Sequence, residues 1–141
     1  MLELWEIIIY YWHIFLIDYN FIWDMRIKRI NLIENSSQTI DLYDYKIINS
    51  NMFTYVENGV FTKVEYDKDN VIIDVGSGSK LIVSLLNKTI YKSYTEYGQL
   101  EFTVKGKNIS ISEMMLDIEY EIYSQNSIIG HHIIKYDFEM R

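Results

Sequence analysis

The chain has 141 residues, a formal net charge of −7, no Cys and no Pro. That length closes one core, and the acidic balance excludes a nonspecific nucleic-acid binder, whose phosphate contacts need a Lys/Arg surface. Without Cys there is no disulfide frame, thiolate zinc site or cysteine nucleophile, and with no Pro the chain punctuation must come from Gly, Asn and Asp.

Residues 1–24 differ from the rest. Eighteen of these 24 are apolar or aromatic, and all three Trp of the chain, Trp5, Trp12 and Trp23, lie among them. A secretory signal would carry a basic start and a small-residue cleavage site, and neither is present. A membrane anchor is favoured by Arg26, Lys28 and Arg29 as a cytoplasmic flank. It is opposed by Glu6, His13, Asp18 and Asn20 inside the run, since an Asp near a helix centre costs ~2.5–3.5 kcal/mol. The remaining readings are a start at Met25, and an extension that forms a short amphipathic helix outside the domain. The expected division is therefore an N-terminal extension over 1–24 and one domain over 25–141. The extension holds Glu3, Glu6, Asp18 and Asp24 and no Lys or Arg, which leaves −3 of the −7 for the remainder and room for a local basic patch.

From Met25 onward, abundant Tyr, Ile, Val, Phe and Thr and the absence of Ala favour strands over helices. Short extended runs recur between turn signals, the pattern of a sandwich or barrel. The expected strands are 26–33, 39–47, 52–57, 60–66, 71–75, 80–86, 89–95, 99–105, 115–123 and 129–138. Asn58-Gly59 is the strongest hairpin signal, because a type I′ turn needs positive φ at both central residues. Asp67 to Asn70, Asn87-Lys88, Gly106-Lys107-Asn108 and Ser124 to Ser127 are further expected turns. Ile109 to Met115 reads either as a short helical turn, with Ser110 capping and Glu113 closing a capping box, or as an edge strand.

The clearest stretch is Ser93 to Val104. Leu100, Phe102 and Val104 alternate with polar residues, the period of a strand with one buried face, and Tyr97-Gly98 supplies the connection to the preceding strand. Together with Leu116 to Tyr120 and Ile133 to Phe138, the run Tyr94-Thr95-Glu96-Tyr97-Gly98 resembles the YwiB-like bacterial domain of unknown function. That resemblance implies an antiparallel, calycin-like and lipocalin-like β-barrel, with eight to ten strands expected here, and a cytoplasmic setting. It implies no activity.

Several groups invite chemistry. Gly76-Ser77-Gly78-Ser79-Lys80 lacks P-loop spacing and precedes a strand-like run, so it reads as a hairpin turn. His131 and His132 are adjacent, and neighbours on a strand point to opposite faces, so no metal site is expected of them. Asp117, Glu119 and Glu121 share one face of a strand. With Ile118, Tyr120 and Ile122 on the other face, that acidic set reads as solvated; facing inward it would be a cation or acid–base site. No cofactor is expected.

Tyr94, Tyr97, Phe102, Tyr120 and Tyr136 are the candidate ligand-binding residues, as aromatic walls at a barrel mouth. The leading functional expectation is noncatalytic binding of a small apolar ligand. A protein-interaction module with a side-chain-filled barrel and an enzyme built on the acidic strand are the alternatives.

Overall fold

Period-two alternation sets which side chains a half-buried strand hides, and the described residues form eleven strands. The computed structural model describes residues 23–76 and 78–140. Its strands are β1 (Trp23–Asn31), β2 (Ser36–Leu42), β3 (Tyr45–Asn49), β4 (Met52–Glu57), β5 (Val60–Tyr66), β6 (Asn70–Asp74), β7 (Lys80–Ser84), β8 (Thr89–Thr95), β9 (Gly98–Ser112), β10 (Met115–Ser124) and β11 (Ser127–Met140). They form two antiparallel sheets, a six-stranded one ordered β2-β1-β11-β10-β9-β8 and a five-stranded one ordered β3-β4-β5-β6-β7. Among the described residues no helix is long and apolar enough to cross a membrane. The short helix expected within residues 1–24 lies outside the described residues over 1–22, while Trp23 and Asp24 already belong to β1.

Between the sheets, every second residue turns inward. Met25 and Ile27 of β1, Leu116, Ile118 and Tyr120 of β10, and Ile134 and Tyr136 of β11 are buried against Phe53 and Tyr55 of β4, Val64 of β5 and Val71 and Ile73 of β6. Phe53 anchors an aromatic cluster, its ring centroid 5.1 Å from those of both Tyr136 and Phe138 in edge-on contact. Such pairs add about 0.5–1.5 kcal/mol beyond the area they bury.

Turn chemistry holds where the residues are specific. Asn58 (φ 52°) and Gly59 (φ 79°) both take the positive φ that a type I′ hairpin requires, and Gln125 (φ 50°) and Asn126 (φ 70°) do the same between β10 and β11. At Asp67 the carboxylate accepts the backbone N–H groups of Asp69 (2.8 Å) and Asn70 (2.9 Å), fixing the β5–β6 turn.

Two expectations are corrected. The single strand expected over 39–47 is two, because the chain leaves one sheet after Leu42 and enters the other at Tyr45; there the Asp44 carbonyl accepts the N–H of Val56 (3.1 Å). The turn expected at Gly106 to Asn108 is the middle of β9. The β9–β10 register slips between Glu119 and Tyr120, whose partners are Asn108 and Gly106, so Lys107 is the extra residue of a bulge that bends the strand. The chain instead reverses at Glu113-Met114, and the segment from Ile109 is strand rather than helix.

The fold is all-β and antiparallel as expected, with eleven strands among the described residues rather than eight to ten, and they stand as two sheets: no backbone ladder joins β7 to β8 or β2 to β3 among those residues. The β7–β8 seam is bridged by side chains: the Thr89 hydroxyl donates to the carbonyl of Ile82, and the Ser79 hydroxyl to that of Lys92 (3.5 Å).

Candidate functional site: a cleft between the sheets

Two inward series end in a charge. On β1 the residues after Met25 and Ile27 lead to Arg29, and on β4 those after Phe53 and Tyr55 lead to Glu57. Each therefore points its third member into the space between the sheets. There the two side chains meet end-on: Arg29 Nη1 donates to Glu57 Oε2 (2.9 Å) and Nη2 to Oε1 (2.6 Å). This bidentate bond holds the Glu57 carboxyl below the usual carboxylate range and raises the guanidinium further above its own.

One layer deeper, the hydroxyls of Tyr55 and Tyr136 lie 3.1 Å apart. Burial pushes the Tyr136 phenol well up, and pushes Tyr120 up to about 12. Toward the rim the Tyr120 ring stacks on His132, centroids 5.4 Å apart, and burial followed by the neighbouring His131 lowers the His132 imidazole below its ordinary value.

Around these groups lie three adjoining clefts. One of about 350 Å³ is walled by Arg29, Glu57, Thr62, Ile134 and Tyr136, and one of about 360 Å³ by Arg29, Gln38, Tyr120, His132 and Ile134. A third, of about 270 Å³, has Ile73, Val75, Leu81, Tyr91, Tyr120 and Ile122 as its mainly apolar wall. They share walls at Arg29, Ile134, Tyr120, Ile73, Val75 and Leu81, so they form one branched opening. A smaller crevice of about 130 Å³ at the other end of the core, between Phe53, Tyr66, Met114 and Phe138, lacks such an ion pair.

Of the five residues expected at the site, the structure brings two together. Tyr120 and Tyr136 line the opening, whereas Tyr94, Tyr97 and Phe102 do not. β9 pairs with β10 only as far as Thr103, opposite Tyr123, so residues 98–102 pair with β8 alone and the hairpin runs past the sheet. Val104 is fully buried and Phe102 half-buried, but Leu100 is 51% exposed, Tyr94 56% and Tyr97 91%. For Leu100 and Tyr97 the core ends before the hairpin does, whereas Tyr94, paired with Gln99, lies on the face of β8 opposite to Tyr91 and Phe102.

Arg29, Glu57, His132 and Tyr55 were not expected at the site. A signal for the first two existed, namely an ionisable residue continuing an apolar period-two series on each of two strands, with opposite signs.

The other groups sit away from the opening. Asp117, Glu119 and Glu121 face away from Leu116, Ile118 and Tyr120, which are buried. Glu119 bonds His131 (2.7 Å), while Glu121 accepts the Tyr123 hydroxyl (2.8 Å) and lies 3.9 Å from the Lys107 ammonium. His131 and His132 point to opposite faces, one to Glu119 and the other to Tyr120. The loop after Asp74 joins the paired strands β6 and β7, and the Asp74 carboxylate accepts the Gly76 N–H (2.8 Å).

The fold of this chain resembles that of the YwiB protein of Bacillus subtilis. The crystal structure of that protein matches with a TM-score of 0.52 at 15% sequence identity, over 85% of this chain and 92% of the other. No family model and no curated protein matches the chain in sequence. At this identity the YwiB likeness is one of fold.

Proposed function

We propose that this chain binds a small, largely apolar molecule in the opening between its sheets, without catalysing a reaction. In this reading the two sheets are the halves of a calycin-like barrel, joined by side chains along β7–β8. The carrying observation is that the cleft at Ile73, Leu81, Tyr91 and Ile122 is mainly apolar and adjoins a small set of polar groups, Arg29, Glu57 and Tyr120. Binding sites commonly combine such walls with a few oriented polar groups, in volumes of roughly 300–1,000 Å³. The acidic strand does not contribute, because its carboxylates face the other way. Native mass spectrometry of the full chain purified from its own host tests the proposal. A mass increment that is released on unfolding supports it, and a bare protein that also takes up no apolar probe contradicts it.

A second reading is favoured by the projecting β8–β9 hairpin. Tyr94 and Ile90 are exposed there on one face and Tyr97 at the tip, apolar and aromatic groups of the kind found at the centres of protein interfaces. Replacing Tyr94 and Tyr97 by Ser should then abolish a partner interaction while leaving apolar-probe uptake intact.

A further inference from the structure

Among the described residues lining the opening, Arg29 and Glu57 are the charged ones, and each neutralises the other. We infer that the ligand of this cleft is uncharged and offers a carbonyl oxygen, as an amide or ketone, to Arg29. The inference rests on the reading of the opening as a ligand site. A guanidinium has five N–H donors, and Glu57 takes two of them end-on, which leaves three. The Tyr55 and Tyr136 hydroxyls share one hydrogen bond, so these two phenols keep at most one O–H to give, and that donor too is uncharged. The pair therefore presents donors without net charge.

Each class of head group meets this arrangement differently. A carbonyl oxygen accepts from the remaining N–H groups with the ion pair intact. A carboxylate must either displace Glu57, leaving a half-buried anion without its partner, or settle beside it and bring a second negative charge against one positive. A cation finds both Glu57 oxygens already engaged. His132 adds no fixed positive charge at neutral pH, since burial holds its imidazole toward the neutral form. The apolar body of the ligand then lies toward Leu81, Tyr91 and Ile122, across the wall that the clefts share.

The test is a matched pair of probes, octanamide and octanoate, titrated into the full chain at neutral pH and followed by ¹⁵N–¹H spectra that include the Arg29 Nε–H signal. Octanamide should bind more tightly than octanoate by about tenfold or more, and should move the Arg29 signal. In Glu57→Gln, where the guanidinium keeps its charge without a counter-charge, the preference should reverse. Equal binding of the two probes by the wild type, or tighter binding of octanoate, overturns this inference and leaves the cleft as an apolar site. Shifts from neither probe overturn the reading of the cleft itself. The wild-type comparison decides even if the variant does not fold.

Discussion

The hydroxyl groups of Tyr55 and Tyr136, 81 residues apart in sequence, meet at 3.1 Å in the core between the two sheets. Both phenols are buried, so each is the partner that the other requires. Tyr136→Phe strands the Tyr55 hydroxyl, and Tyr55→Phe does the reverse. Each change should cost about 1–3 kcal/mol in urea unfolding. The double variant should cost clearly less than the sum, because it leaves no orphaned group. Strict additivity would show that the two hydroxyls are satisfied elsewhere.

A Cβ placed on Gly106 would lie 2.4 Å from the carbonyl oxygen of Ser84 and 3.1 Å from Cγ1 of Val83. The glycine lets β9 of one sheet approach the end of β7 of the other, next to the bulge at Lys107. In an ordinary strand Gly→Ala is neutral or stabilising. Here Gly106→Ala should destabilise by about 1–3 kcal/mol, since backbone must move to admit the methyl. A raised melting temperature would contradict the close approach.

Acid should weaken the Arg29–Glu57 link in a defined direction. The folded-state pKa of Glu57 is depressed, first by its hydrogen bond to Arg29. Its contribution is therefore fully present above the unfolded carboxylate pKa of about 4.3, and is lost as pH falls through the lower folded value. Melting temperatures recorded from neutral pH downward should show a steeper acid limb for the wild type than for Glu57→Gln. Parallel curves would mean that the pair does not couple folding to protonation.

Alkali acts through the opposite sign. The Tyr120 phenol is pushed up to about 12 by burial. Its neutral form stabilises the fold fully below the unfolded value of about 10, and that contribution is lost as pH rises through about 12. Absorbance of tyrosinate near 295 nm should show a late ionising step that Tyr120→Phe reduces. An unchanged late step in that variant would place the shifted phenol elsewhere.

Much of the fold was legible because strand alternation is local. Leu116, Ile118 and Tyr120 announce their buried face, and Asn58-Gly59 announces its turn, from neighbours alone. Gly106 was misread because a glycine that permits a close approach looks like a glycine that makes a turn, and Ser84, which decides between them, lies in the other sheet. Tyr97 sits at a hairpin tip beyond Tyr123, where β10 stops pairing, and Tyr94 shares the outward face of β8 with Ile90 and Lys92, a choice of face that the partner strand decides. Arg29 and Glu57 each showed a charge in an apolar series. That the two meet depends on sheet packing, which no short window of sequence contains.

Leu81 stands on the wall shared by two clefts of the opening between the sheets, where a larger side chain would block the proposed apolar ligand. The direct measurement is fluorescence titration of the full chain with the uncharged probe N-phenyl-1-naphthylamine, beside Leu81→Trp, whose larger side chain fills the cleft. The expected result is saturable one-site binding by the wild type and its loss in Leu81→Trp, with the variant still melting cooperatively. No saturable binding by the wild type, or undiminished binding by the folded variant, would contradict it.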